Sequence, residues 1–184
     1  MVTGCRISVS PAGCPENAPP SGNPDWDWDI VMWMDHRAEV QADRINQSEH
    51  GVLRFVGGKI SLEMEPPKLL WLKEHLPQTF HNTEHFFDLA DFLTYKATGC
   101  LSRSLCCVVC KWTFQASEKA QNWDASFWKE IGLPELCADN FARIGCDVKT
   151  PGTFCGTLSQ QAATDLGLKS DTRVATGMID AHSG

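Results

Sequence analysis

The sequence contains no apolar run approaching the ~20 residues that a membrane-spanning helix needs, so no such helix is expected. It also lacks any cluster of lysine and arginine. Sixteen basic residues face 23 acidic ones, for a net charge of −7, which makes nucleic acid and anionic membrane surfaces poor partners. The first residues, Met1-Val2-Thr3-Gly4-Cys5-Arg6, have no apolar core of a secretory signal behind them, and the cytoplasm is the expected compartment. In a reducing compartment the nine cysteines are expected to be free thiols. There, the sequon Asn46-Gln47-Ser48 has no route to glycosylation. Internal repeats are absent.

What is present is an ordinary globular composition, 42% apolar and 21% charged over 184 residues, enough for one domain with its own core. Residues 1–29 differ from the rest. Pro11, Pro15, Pro19, Pro20 and Pro24 fall there, apolar periodicity is weak, and Asp25-Trp26-Asp27-Trp28-Asp29 closes the segment. An irregular lead-in, not native to the domain that follows, is expected.

Ordered chain is expected from Ile30. The apolar run at 30–34 suits a buried strand, with Asp35 as N-cap of a helix over 37–45. Helical turns are expected at 50–56, stopped by Gly57-Gly58, and from Pro66-Pro67 through His75, closed by Pro77. Further helices are expected over 86–98 before Gly99, after Asp124, after Pro134, and from Ser159 to Gly167. Residues 104–114 fit neither period clearly, and 172–179 read as a strand. The fold class is α/β with helices dominating.

The block 156–184 reads as turn, capped short helix, glycine stop and strand, with Asp180 at the strand's carboxyl end. Ligands of open α/β sheets bind at that end, and a carboxylate there suits a general base. Taken by itself, Asp180 more often caps a loop. With its neighbours Gly156, Thr157, Leu158, Ser159, Ala162, Ala163, Gly167, Val174 and Gly177, however, the block resembles the FGGY family of carbohydrate kinases. Three further segments agree in order. Trp33-Met34-Asp35-His36-Arg37 resembles a W-x-D-x-R segment of that family. Lys68-Leu69-Leu70-Trp71-Leu72 resembles the core of its first signature, and residues 87–99 resemble a D-x-L-x-x-x-L-T-G segment. Each match alone is weak, and four in order make the case.

The resemblance covers residues 30–184. It implies part of the first actin-like, ribonuclease-H-like domain of a sugar kinase, on the sugar side. The implied reaction is ATP- and Mg²⁺-dependent phosphorylation of a ketopentose such as D-ribulose. Asp180 matches the catalytic aspartate and Lys111 a ribulokinase-type lysine that contacts the sugar; Asp35, Arg37 and Glu63 fall near sugar-facing segments. There are departures too. The family's opening D-x-G-T/S phosphate loop has no counterpart, Glu63 and Glu65 replace the usual signature residues, and little sequence follows Asp180. The binding site for ATP and Mg²⁺ is therefore expected to be largely absent, and this chain by itself inactive. The alternative is a non-catalytic sugar-binding or regulatory form that self-associates or pairs with a full-length chain, because an interrupted sheet exposes edges.

Two metal patterns are weighed and set aside. His81-Asn82-Thr83-Glu84-His85 fits H-x-x-E-H but follows a proline in a polar stretch with no third ligand in view. Cys107-Val108-Val109-Cys110 has no second C-x-x-C, and buried free cysteine is the favoured reading.

Overall fold

One helix organises the molecule. In the computed structural model, which describes residues 2–8, 27–117 and 120–184, that helix spans Glu65–His75 and carries prolines in its first turn. Leu69, Leu70 and Leu72 are buried, and so are Pro66, Pro67, Glu65 and Lys68. A helix covered on most sides belongs at the centre of a domain.

In chain order the strands are β1 (Val2–Ser8), β2 (Asp27–Ile30), β3 (Phe86–Phe87), β4 (Arg103–Ser104), β5 (Gln115–Ser117), β6 (Ala120–Asn122), β7 (Val148–Lys149), β8 (Phe154–Thr157) and β9 (Arg173–Ala175). The helices are α1 (Glu39–Gln47), the central α2, α3 (Pro77–Asn82), α4 (Leu89–Thr98), α5 (Leu105–Trp112), α6 (Ala125–Glu130) and α7 (Gln160–Leu166). Short 3₁₀ helices cover Gly51–Val56, Pro134–Phe141 and Asp180–His182. Among the described residues the strands form four small sheets: antiparallel β2-β1-β3, parallel β4-β7, and the antiparallel pairs β5-β6 and β8-β9. No described helix is long and apolar enough to cross a membrane.

The core joins α1, α2, α5 and α6. Ile45, Leu69, Leu72, Val108, Phe127 and Trp128 are each no more than 2% exposed, and each such side chain contributes roughly 1.5–3 kcal/mol by leaving water. Beside it, Gly145 (φ +116°) lies so close to Arg103 that a Cβ there would stand 2.3 Å from the arginine Cγ. Only glycine gives the buried arginine that room.

Several expectations need correction. Within the expected lead-in, Val2–Ser8 and Asp27–Ile30 are paired strands, whereas 9–26 lie outside the described residues. The strand expected at 30–34 ends at Ile30. Beyond it the carbonyls of Met32 and Trp33 accept hydrogen bonds from Lys68 Nζ at 2.7 and 2.9 Å, and Asp35 N–H closes a turn on Met32. With its carbonyls taken by a lysine, the run leaves the ladder.

Asp35 does not cap α1, which begins after Ala38. Its carboxylate accepts the Arg37 N–H at 3.1 Å instead, and that local turn delays the helix. Pro77 opens α3 in place of merely closing α2. Phe86 and Phe87 are a strand, and α4 starts only after Asp88, whose carboxylate accepts the Ala90 N–H. The unassigned stretch 104–114 contains α5, and the strand expected over 172–179 pairs only at Arg173–Ala175. The caps at Gly57, Gly99, Asp124, Ser159 and Gly167 stand as expected.

Candidate functional site

The segment after β9 is bent across the molecule by one serine. Ser104 Oγ donates to the Gly177 carbonyl at 2.7 Å, while its N–H donates to Asp91 Oδ1 at 2.8 Å. This residue, 0% exposed at the start of α5, ties together α4, α5 and the chain leading to Asp180. The result is a cleft of about 680 Å³ with Asp88 and Leu93 of the α4 region, Lys111 of α5, and Met178 and Asp180 of the last segment in its walls. Trp33 adds an aromatic face. That size suits a small ligand.

Asp180 stands exposed at the head of its 3₁₀ turn, where Oδ1 accepts the Ala181 N–H at 2.9 Å. Its outer face is open to take a proton or a hydrogen bond. Lys111 is half-buried in the last turn of α5. Carboxylate, ammonium and indole around one space offer an acceptor, a three-hydrogen donor and an apolar platform.

Behind the cleft lie two buried carboxyls. Burial pushes Glu65 up to about 7, with Asp88 adding to the shift and Lys68 and Lys111 opposing it. Burial likewise pushes Asp91 up to about 7, against the Ser104 N–H bond and the Arg103 charge, with Asp88 again adding. Desolvation disfavours the charged form. The same burial holds Arg103 down to about 10.

Of the residues singled out from the sequence, Asp180 and Lys111 meet in this cleft. Asp35 and Arg37 are engaged with each other, Arg37 Nε lying 2.9 Å from both carboxylate oxygens, and the guanidinium stacks over Trp71 at 4.4 Å. Arg37 and desolvation act oppositely on Asp35: burial pushes its carboxyl up, and the stronger combined effect of Arg37 and Lys68 leaves it below the usual range. Glu63 pairs with His36 at 3.1 Å. Neither Asp35, Arg37 nor Glu63 lines the cleft; they brace the segment that presents Trp33. Asp88 and Trp33, which line the cleft, were not singled out from the sequence, although both lie inside segments quoted above. His81 and His85 do not share a helix face, since α3 stops at Asn82.

With this geometry in place, comparisons with known proteins decide the family. The model of the FGGY family of carbohydrate kinases, N-terminal domain, matches residues 28–184. The chain belongs to the FGGY family of carbohydrate kinases. An FGGY carbohydrate kinase domain-containing protein of Danio rerio is 55% identical over 160 residues, covering 86% of this chain and 29% of its own length. A D-ribulokinase of Saccharomyces cerevisiae is 40% identical over 167 residues, covering 86% and 23%. This FGGY chain thus spans less than a third of the length of these curated relatives.

Among solved structures, glycerol kinase of Plasmodium falciparum with ADP superposes with a TM-score of 0.67 at 13% identity, over 85% of this chain and 30% of that one. A xylulose kinase of Lactobacillus acidophilus gives 0.65 at 18% identity, over 83% and 30%. At such identities the likeness shows fold alone. The α/β fold is that of the actin-like N-terminal domain of FGGY kinases.

Proposed function

We propose that this chain supplies the sugar-side half of an ATP-dependent pentulose kinase acting on a ketopentose such as D-ribulose. The observation that carries the reading is the meeting of Asp180 and Lys111 in one cleft of a chain 40% identical to a D-ribulokinase. In this role Lys111 donates hydrogen bonds to sugar oxygens, Trp33 covers an apolar face of the sugar, and Asp180 accepts the proton of the hydroxyl to be phosphorylated. ATP and Mg²⁺ are the family's co-substrate and cation. Among the described residues the only three donors that converge are two thiols and an imidazole, a set unsuited to Mg²⁺. No residue here is assigned to hold either group.

The test is binding. D-ribulose, D-xylulose and glycerol are titrated against the chain by ligand-detected NMR. D-ribulose is expected to bind, with Lys111→Ala weakening it at least tenfold; equal binding by the variant would remove the site. With Mg-ATP the chain by itself is expected to release no ADP. Release stimulated by D-ribulose and abolished by Asp180→Asn would overturn that expectation.

A further inference from the structure

Helix α5 presents one more set of side chains that the proposed kinase role does not use. Cys106 and Cys110 are four residues apart, so their sulfurs lie one above the other on a single helix face. The 3₁₀ turn Asp180–His182 brings a third donor to the same place: Cys106 Sγ lies 3.1 Å from His182 Nδ1. The two sulfurs and an imidazole nitrogen all lie within 4.8 Å of one another. Both cysteines are half-buried free thiols, and the histidine is exposed.

Ligands at Zn–S ≈ 2.3 Å in a tetrahedron stand about 3.8 Å apart. No pair has to close by more than about 1.3 Å, and the 3.1 Å contact of Cys106 Sγ with His182 Nδ1 has to open by about 0.4 Å, both within the reach of side-chain rotation on a part-exposed helix. The pattern that the sequence offers, Cys107 with Cys110, is not the one the fold uses. Cys107 is 0% exposed and faces the core, which leaves Cys106 and Cys110 to face outward together. The third ligand comes from a residue 72 positions on from Cys110, on the segment that Ser104 bends across the helix.

We propose that Cys106, Cys110 and His182 form a binding site for a thiophilic divalent cation, Zn²⁺ foremost. Two thiols lose their protons to solvent, two Zn–S bonds and one Zn–N bond form, and the product carries no net charge. Water fills the fourth position, as three protein ligands leave it open. Soft thiolates with imidazole select Zn²⁺ over Mg²⁺ or Ca²⁺. The ion would sit at the rim of the cleft, since Lys111 follows Cys110 and Asp180 precedes His182 by two residues. Binding would thereby pin the Asp180–His182 turn to α5, replacing one weak thiol–imidazole contact with three coordinate bonds.

The experiment is a Co²⁺ titration of the metal-free, reduced 184-residue chain, followed by absorption. The expected result is a thiolate-to-cobalt charge-transfer band with tetrahedral d–d bands, saturating at one equivalent and removed by Zn²⁺. Cys106→Ser and Cys110→Ser should each weaken binding by at least ~100-fold, beyond the ~10–100-fold carried by outer partners of a metal site. Cys155→Ser, away from the cluster, should leave the band intact. His182→Gln changes an exposed side chain and keeps the fold, checked by its melt, so it decides the matter even where a serine variant is unstable. Absence of a thiolate band, a band that survives the Cys106→Ser, Cys110→Ser double variant, or unweakened binding by His182→Gln would overturn the proposal.

Discussion

The chain before Gly145 and the chain after it are held by different forces. The first builds a core in which Phe80, Phe127, Trp128, Leu133 and Leu136 have no exposed surface. In the second, the buried residues are Leu158, Ala163 and Thr176, and hydrogen bonds dominate. Thr176 alone bonds with Thr150, Gly152 and Thr153; Ser159 N–H donates to the Ala97 carbonyl at 2.8 Å; and Gly177 rests on Ser104. Area burial gives the first region a single rigid answer. The second is a thin arm that a few directional bonds lay across α4 and α5, and it carries Asp180. Precision at the cleft therefore depends on a handful of polar contacts more than on packing.

The sharpest separation of the two regions is a core truncation. Trp128→Ala is expected to cost about 3–5 kcal/mol, read as a shift of the denaturant midpoint, and to loosen both regions together. A pH effect of comparable size is confined to the core side. Glu65 and Asp91, both raised to about 7, keep protons in the folded chain that the unfolded chain has already released. Stability is therefore expected to fall as pH rises from about 4.5 to 7, by up to ~1.4 kcal/mol per pH unit per group, and to level off above. Glu65→Gln should flatten part of that slope; an unchanged slope would show that its carboxyl is not among those titrating.

Ser104→Ala removes the joint between the regions. A loss of about 1–2 kcal/mol is expected, with amide exchange accelerated over 173–184 and little changed in α2. Uniform acceleration in both would break the distinction drawn here. The smallest effect belongs to the arm's surface. Leu168, 53% exposed, changed to alanine should move stability by less than ~0.5 kcal/mol.

The sequence was legible wherever structure is local. Asp124 and Ser159 cap helices, and Gly57, Gly99 and Gly167 end them, because each acts within four residues of its own position. The run at 30–34 misled because its carbonyls are claimed by Lys68, 35 and 36 residues away. The bond from Ser104 to Gly177 spans 73 residues, and no periodicity announces it. Asp180 and Lys111 were found through family motifs, while Asp88 and Trp33, within those same motifs, acquire a place in the cleft only when α4, α5 and the last segment converge. Asp35 and Arg37, two residues apart, satisfied each other, an outcome their spacing alone could have suggested.

Helix α5 works as a shared clock for the whole molecule. Its eight residues bury Cys107, Val108 and Trp112 and leave Cys106, Cys110 and Lys111 partly exposed, so core and cleft are set by one rotational phase. Point substitutions can adjust either side independently. A single residue inserted or deleted just before Leu105 would turn the helix by about 100°, displacing the tryptophan from its socket and the lysine from its cleft in the same step. Variation in this family member should thus be tolerated as exchange of side chains along α5 but not as a change in the length of chain that leads into it.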